Sequence, residues 1–254
     1  KAIELEKSFL RVCSILPGVK AVYKMEEKQE QDITDLKEIM DHLGECKRSL
    51  DNYVHSNTKQ PFSVLRGKLD IPSSKSCAHR AVICAALAGD GKTSVISGIS
   101  GSKDIDATIG AMQALGMKWT DEGNGTVSIT GLCGSGGGKK IIDCNESGST
   151  LRFVIPVAAA LGCEAEFIGR GRLPQRPIDI YVRELGKNGV HFEYNNTMPF
   201  TVSGQLKSGT YEVEGNVSSQ FITGLLFALP LLKGDSEIVL TSKLESRPYV
   251  DITI

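Results

Sequence analysis

The chain has 254 residues, of which 41% are hydrophobic and 23% are charged, and its formal net charge is −1 at pH 7. This length is sufficient for one large domain or two small ones with a substantial core. Because the sequence has neither an excess of basic residues nor a basic run, it argues against a protein that binds nucleic acid or a membrane surface. No apolar run reaches the ~18–20 residues that a membrane-spanning helix needs.

Seven cysteines are scattered along the chain, without a Cys-x-x-Cys pair or a His/Cys cluster at zinc-ligand spacing. This usage is typical of reduced thiols in a cytoplasmic protein, so we expect small buried cysteines and no metal site. The glycine-rich run 134–138 lacks the Lys-Ser/Thr ending of a P-loop and the spacing of a dinucleotide fingerprint. We therefore expect a flexible turn there and no cofactor.

Residues 1–60 differ in pattern from the rest of the chain. Apolar residues at three- and four-residue spacing, among them Leu36 and Leu50, predict amphipathic helices. No pattern here points to chemistry, so we expect a mainly helical leader or an appended module. Since the sequence begins at Lys1 and stops at Ile254 within an apolar, strand-like run, we expect it to be cut at both ends.

From residue 61 onward, short strands alternate with helices and Gly/Ser turns, which is typical of α/β architecture. Three times, at intervals of about seventy residues, a strand leads into a serine-rich turn and a helix. The three strand–helix pairs are predicted at 68–71 and 81–88, 141–143 and 151–161, and 211–213 and 221–232. Two further helices (104–115 and 177–185) and two strands (127–130 and 200–202) complete about two and a half copies of one unit.

The serine-rich turns point to anion binding. The first N–H groups of a helix have no partner inside the helix, and the helix dipole is positive there. Lys75 and Arg80 lie in the first turns of the first helix, and Gly148 precedes the second. One such turn is commonly only an N-cap with solvated basic residues, but three at equivalent repeat positions predict three helix starts on a common face.

Two other clusters carry suitable donors. The Gly/Pro loop 169–177 holds Arg170, Arg172 and Arg176, and guanidinium groups match phosphate and carboxylate oxygens. An arginine loop alone is commonly a solvated face. The polar side chains of 218–220 and of Ser246-Arg247-Pro248-Tyr249 offer donors for sugar-like hydroxyls. Taken together, the clusters predict a site for a polyanion.

Five motifs resemble those of the 5-enolpyruvylshikimate-3-phosphate synthases, also called 3-phosphoshikimate 1-carboxyvinyltransferases. They occur in order at residues 72–81 (PSSKSCAHRA), 145–152 (NESGSTLR), 175–178 (QRPI), 217–221 (VSSQF) and 246–253 (SRPYVDIT). The resemblance extends from about residue 62 to the end and includes none of residues 1–60. Phe153 stands where some relatives have proline, and Arg247 stands where others have lysine.

The resemblance implies an enolpyruvyl transferase-like fold of repeated βαβαββ units, an inside-out α/β barrel domain whose helix starts face a cleft between two domains. Residues 61–254 would be the first domain, and the family's C-terminal domain would lie outside this sequence. The implied reaction belongs to chorismate and aromatic amino acid biosynthesis. In it, the 5-hydroxyl of shikimate 3-phosphate attacks C2 of phosphoenolpyruvate, C3 is protonated, and phosphate leaves.

The resemblance also assigns roles to residues. Lys75 would contact both substrates and take part in proton transfer. The residues implied for shikimate 3-phosphate are Ser76, Arg80, Ser218, Ser219, Gln220, Ser246 and Tyr249. Those implied for phosphoenolpyruvate are Gly148, Arg176 and Gln220, with Arg152 and Arg172 as further candidates. The absent domain would supply a carboxylate acid/base and more basic residues, for which this chain offers no substitute.

Two other functions stay open. One is the related enolpyruvyl transferase that acts on UDP-N-acetylglucosamine, although the Lys75-Ser76 and Ser246–Tyr249 motifs fit the shikimate enzymes better. The other is a non-catalytic binding module in which residues 1–60 recruit a partner helix.

Overall fold

The computed structural model describes residues 73–89, 91–132 and 138–254. The expectations for residues 1–60, for the strand at 68–71 and for nearly all of the turn at 134–138 lie outside the described residues, as do Cys13, Cys46 and Cys133. Of the four described cysteines, all free, Cys144 and Cys163 are buried as expected, but Cys77 and Cys84 are exposed, so burial was wrongly expected for these two.

The described residues form helices, two 3-10 turns and nine strands. The helices are α1 (Lys75–Leu87), α2 (Lys103–Ala114), α3 (Gly148–Ala160), α4 (Asp179–Lys187), α5 (Ser219–Ala228) and α6 (Arg247–Asp251), and the 3-10 turns are Leu173–Gln175 and Leu229–Leu231. The strands are β1 (Thr93–Ser97), β2 (Lys118–Gly123), β3 (Thr126–Thr130), β4 (Lys140–Asp143), β5 (Ala165–Ile168), β6 (Val190–Glu193), β7 (Phe200–Gly204), β8 (Thr210–Val213) and β9 (Glu237–Leu240). Within this part of the chain, no helix is long and apolar enough to cross a membrane.

The middle of the chain contains one complete βαβαββ unit, in the order β4-α3-β5-α4-β6-β7. Its four-stranded sheet has the order β4-β5-β7-β6. Strand β4 pairs in parallel with β5, and β7 pairs antiparallel with both β5 and β6.

The other two sheets repeat parts of this arrangement. Before the complete unit, α1-β1-α2-β2-β3 has the same element order, and β3 pairs antiparallel with both β1 and β2. After it, β8 and β9 pair in parallel as β4 and β5 do. The predicted α/β fold of repeated βαβαββ units is therefore confirmed.

Serine side chains cap the starts of the three repeated helices. Ser74, Ser147 and Ser218 each accept a hydrogen bond from a backbone N–H in the first turn of α1, α3 or α5. A cap of this kind contributes about 1 kcal/mol. The helices begin two to six residues before the predicted starts, because apolar spacing reports only the buried part of a helix.

The prediction for α4 was wrong at its start. Pro177 was expected in the first turn, but the helix begins at Asp179, and Ile178 precedes it with φ −125° and ψ 14°. At the end of α5, the regular helix stops at Ala228 and a 3-10 turn follows. Pro230 has no N–H to donate back into the helix, which explains the earlier end.

Helix α3 forms the centre of the described core, and every residue from Thr150 to Ala160 is buried. Pro156 lies inside this helix and cannot donate to the carbonyl of Arg152, four residues earlier. The hydroxyl of Tyr181 donates to that carbonyl instead, at 2.7 Å. Tyr181 is fully buried, and burial raises its pKa.

Helix α5 packs directly on this part of α3. A Cβ on Gly224 would lie well inside 3.0 Å of both the Tyr181 hydroxyl and the Arg152 carbonyl oxygen. The absence of a side chain at Gly224 therefore permits the close approach of the two helices.

Substituting Gly224 with alanine tests this packing. We expect Gly224→Ala to lower the free energy of unfolding by about 1–3 kcal/mol, because the added methyl overpacks the interface. The matched control is Gly110→Ala in α2, where an added Cβ meets nothing within 4 Å. This control should stabilise the protein by up to about 1 kcal/mol through helix propensity. Urea denaturation followed by circular dichroism measures both, and equal effects would contradict the packing argument.

Candidate functional site

The first turns of four helices are linked by polar contacts. The Lys75 ammonium in α1 lies 2.8 Å from a carboxylate oxygen of Asp104 in α2. The Thr150 hydroxyl in α3 lies 3.3 Å from the Asp104 backbone carbonyl oxygen. The Gln220 side chain in α5 donates to the Ser149 hydroxyl in α3 at 2.9 Å. The three serine-capped helix starts therefore lie together, as the repeat predicted, and α2 joins them.

The electrostatics of these starts favour an anion. Helices α1, α3 and α5 have no acidic residue in their first turns, whereas α2 has Asp104 and Asp106. The positive end of the dipole is thus left without a local carboxylate at three of the four helix starts. Free N–H groups and unopposed dipoles are the usual components of an anion site.

Arg176 lies directly against the start of α3. Its guanidinium group occupies the place where a side chain on Gly148 would be. Gly148 is buried and Arg176 is exposed. Among the described residues, no ion pair involves Arg176. This cation is consequently available to an incoming anion at the α3 start.

Arg152 lies beneath the same surface and is only 8% exposed. It donates to the Gln220 side-chain oxygen at 2.7 Å and to the Pro177 carbonyl at 3.4 Å. Its guanidinium carbon stands 4.8 Å from the centroid of the Phe221 ring. Burial lowers the pKa of Arg152, and the nearby Arg176 cation contributes in the same direction.

Lys75 differs from Arg152 because it is open to solvent. Its side chain is 60% exposed, and that of Asp104 is 36% exposed. An exposed ion pair of this type contributes at most about 1 kcal/mol. The Lys75 ammonium can therefore exchange Asp104 for an anionic ligand at small cost.

Arg80 is engaged inside the protein and is 7% exposed. It donates to the Thr253 hydroxyl at 2.8 Å, to the Ser76 carbonyl at 2.8 Å and to the Tyr249 carbonyl at 2.5 Å. Burial lowers its pKa. Arg80 thus joins α1 to α6, and its role as a ligand contact stays a prediction.

The remaining predicted residues have different degrees of access. Ser246 and Tyr249 are exposed at the start of α6. Ser76 and Ser218 are half-buried, and the Ser218 hydroxyl is occupied in capping α5. Ser219 is buried. Arg172 is exposed just before a 3-10 turn, and none of the described contacts connects it to the helix starts.

Sequence reasoning missed a buried polar chain beneath the site. The His79 ring nitrogen Nδ1 lies 2.7 Å from the Thr108 hydroxyl, which lies 2.7 Å from the Thr150 hydroxyl. Thr150 in turn donates to the capping Ser147 hydroxyl at 2.7 Å. The chain connects α1, α2 and α3. The two links that join different helices span 29 and 42 residues of sequence, so no local pattern indicates the chain.

Asp104 and Ser149 were also missed. The only available sequence signal for Asp104 was an acidic residue at a helix start, which suits the dipole of any helix. Ser149 lies inside the NESGSTLR motif but was not singled out. Among the described residues, no group of three or more His, Cys, Asp or Glu side chains is placed to hold a metal ion.

The buried His79 predicts a specific acid sensitivity. Burial lowers the pKa of His79 from 6.5 to about 4, an effect that Asp104 opposes and that Lys75 and Arg80 strengthen. Below pH 6.5 the unfolded chain binds a proton at this residue and the folded chain does not. The free energy of unfolding should therefore fall by about 3 kcal/mol as the pH drops from about 6.5 to about 4.

Urea denaturation across this pH range measures the effect. We expect His79→Gln to flatten this part of the profile, since the titrating group is gone. The control is His191→Gln on β6, where the histidine is exposed. A profile for His79→Gln as steep as that of the control would contradict the assignment.

Comparison with known proteins agrees with the motifs. Residues 59–254 match the family model described as EPSP synthase (3-phosphoshikimate 1-carboxyvinyltransferase). The chain is 48% identical over 198 residues to the 3-phosphoshikimate 1-carboxyvinyltransferase of Clostridium beijerinckii, covering 75% of this chain and 45% of that protein. The enzyme of the same name from Clostridium kluyveri is 48% identical over 191 residues, covering 75% and 44%. The chain thus spans about half the length of the curated relatives that it matches.

Solved structures support the same fold. EPSP synthase from Acinetobacter baumannii superposes with a TM-score of 0.61 at 23% identity, covering 71% of this chain and 41% of that chain. At this identity the likeness concerns the fold alone. The matched family model, however, includes most of the chain and all five motifs. The chain therefore belongs to the EPSP synthase family.

Proposed function

We propose that this chain provides half of the active-site cleft of a 3-phosphoshikimate 1-carboxyvinyltransferase. The enzyme would transfer the enolpyruvyl group of phosphoenolpyruvate to the 5-hydroxyl of shikimate 3-phosphate and release phosphate, a step of chorismate biosynthesis. The observation that carries the proposal is the placement of the free Arg176 cation on Gly148, at a helix start that Gln220 also reaches. Membership of the EPSP synthase family supplies the substrate class.

The reaction needs the donors that this surface offers. The 5-hydroxyl oxygen forms a bond to C2 of phosphoenolpyruvate and loses its proton, while C3 gains a proton. Phosphate then leaves C2 as C3 loses a proton, which restores the double bond. Both substrates carry a phosphate and a carboxylate, so a binding surface rich in N–H groups and cations favours their approach and orientation.

We assign Lys75 to contact with both substrates and to proton transfer. Its ammonium is exposed and lies beside the starts of α1 and α2. A carboxylate oxygen of Asp104 lies 2.8 Å from it. An arriving phosphate or carboxylate can replace this partner, because the exposed pair is weak.

The other assignments follow from the motifs and the geometry together. Phosphoenolpyruvate is assigned to Gly148, Arg176 and Gln220. Shikimate 3-phosphate is assigned to the polar residues around α1, α5 and α6, namely Ser76, Arg80, Ser218, Ser219, Gln220, Ser246 and Tyr249. Arg80 would have to exchange one of its internal hydrogen bonds to touch this ligand, and it also holds the backbone of Ser76 and Tyr249 in place.

The two domains of the enzyme would contribute different groups to the reaction. Residues 61–254 would form the first domain, and residues 1–60 an appended segment whose role is unassigned; the start of the family match at residue 59 supports this boundary. A C-terminal domain would supply the acid/base carboxylate and further cations. Alone, the chain should bind shikimate 3-phosphate weakly and turn over little.

We also propose a cytoplasmic location, which the four free thiols support.

Titration of the chain with shikimate 3-phosphate tests the site. We expect saturable heat by isothermal titration calorimetry, and an affinity lowered about tenfold or more by Lys75→Met, since a hydrogen bond to a charged group contributes about 1.5–3 kcal/mol. The control is Lys118→Met, which removes an exposed lysine on β2. No saturable heat, or equal loss in both variants, would refute the assigned site.

Complementation tests the reaction. We expect the chain, mixed with the C-terminal half of the Clostridium beijerinckii relative, to release phosphate only when phosphoenolpyruvate and shikimate 3-phosphate are both present. Arg176→Ala should raise the KM for phosphoenolpyruvate more than Arg172→Ala does, because only Arg176 lies on the α3 start. Phosphate release with UDP-N-acetylglucosamine in place of shikimate 3-phosphate would favour the alternative transferase.

A further inference from the structure

The side-chain amide of Gln220 is held from both sides. Its oxygen accepts from Arg152 at 2.7 Å, and its nitrogen donates to the Ser149 hydroxyl at 2.9 Å. A guanidinium group has only donors, so the atom facing Arg152 must be the amide oxygen. The contact with Arg152 thereby decides which way the amide points.

This orientation determines what the α3 start offers to a ligand. Because the Ser149 oxygen accepts from Gln220, the Ser149 hydroxyl keeps its own hydrogen for donation. The second hydrogen of the Gln220 amide is also left beside this start. With the amide reversed, an oxygen would face Ser149, and an oxygen repels the oxygens of an anion.

Arg152 itself is fixed in place. It is 8% exposed, lies over the Phe221 ring and donates to the Pro177 carbonyl. Its backbone carbonyl is held by the Tyr181 hydroxyl. Both terminal nitrogens of its guanidinium group are thus engaged within the protein, which places Arg152 behind the ligand surface rather than on it.

Burying this cation is costly. Among the described residues Arg152 has no carboxylate partner, and its Nε atom is buried without a hydrogen-bond partner. A buried charge with an unsatisfied N–H destabilises the folded state relative to an apolar residue of similar volume. Stability therefore does not account for an arginine at this position, and a functional reason is needed.

We propose that Arg152 is a positioning residue that fixes the Gln220 amide with its NH2 group toward Ser149 and the start of α3. The identity of the ligand that benefits rests on the proposed function. The orientation of the amide does not, because it follows from contacts within the chain. Arg152 thus acts through Gln220 and makes no contact with the substrate.

Nuclear magnetic resonance of the chain without ligand tests the orientation directly. With 15N-labelled glutamine, the side-chain NH2 signals of Gln220 are identified by their loss in Gln220→Ala. We expect these signals to be shifted from those of exposed glutamines and slow to exchange. Arg152→Met should move them toward the exposed values, and Arg172→Met should not. Signals unchanged in Arg152→Met would overturn the proposal.

Binding of shikimate 3-phosphate tests the consequence. We expect Arg152→Met and Gln220→Ala to lower the affinity by similar factors of about ten, and the double variant to be no worse than either single variant. Arg152→Lys should recover part of the loss, because it restores one donor to the Gln220 oxygen. Losses that multiply in the double variant would show that Arg152 acts independently of Gln220 and would overturn the proposal.

Gln220→Glu provides a second test if Arg152→Met does not fold. This variant keeps an oxygen for Arg152 but replaces the NH2 group with a second, negatively charged oxygen, so it should lose at least as much affinity as Gln220→Ala. Wild-type affinity in Gln220→Glu would overturn the proposal. If the unaltered chain gives no saturable heat, the proposed function fails, and the magnetic resonance comparison still decides the orientation.

Discussion

The close contact between α3 and α5 is the constraint on which the candidate site depends. Pro156 leaves the Arg152 carbonyl without a partner in α3, and the Tyr181 hydroxyl takes that place. Gly224 lets α5 approach the same point. The first turns of the two helices are then near enough for Gln220 to reach Ser149. A packing arrangement in the core thus determines which donors face the surface.

The polar chain from His79 to Ser147 performs a similar task for α1, α2 and α3. It ends on the hydroxyl that caps α3, so the helix start that carries Gly148 is tied to α1 and α2 through buried hydroxyls. Arg80 extends the connection to α6. The helix starts are consequently held by interior contacts, while Lys75 and Arg176 stay exposed. This separation gives a rigid base with accessible cations, which suits an anion site.

Much of the fold could be predicted because it repeats. Serine-rich turns before apolar helices occur at equivalent positions, and they indicated a repeated α/β unit and the meeting of the helix starts. The βαβαββ order of that unit was implied by the resemblance to the family. The helix boundaries were less predictable. The first turn of α1 contains Lys75, Ser76 and Cys77, none of which is buried, so an apolar pattern does not include them. Pro177 suits a first turn by its fixed φ, but Ile178 adopts a non-helical conformation after it.

The side-chain partners could not be predicted, because they join distant parts of the sequence. Arg80 meets Thr253 across 173 residues, and Arg152 meets Gln220 across 68 residues. A motif shows that such an arginine is present but not whether it faces a ligand or the interior. Arg80 and Arg176 each lie in a motif that predicts ligand contact. Arg80 is nevertheless buried in a hydrogen-bond network, whereas Arg176 is exposed.

The contact among Pro156, Tyr181 and Gly224 also limits which substitutions this part of the core tolerates. The three residues lie in different helices and meet around the Arg152 carbonyl. An ordinary amino acid at 156 restores a backbone N–H that competes with the phenol for the Arg152 carbonyl, and the phenol would be left with its longer contact, the Phe221 carbonyl at 3.0 Å. A substitution at any of the three positions should therefore disturb the contacts of the other two, whereas a substitution at an exposed residue of the same helices should not.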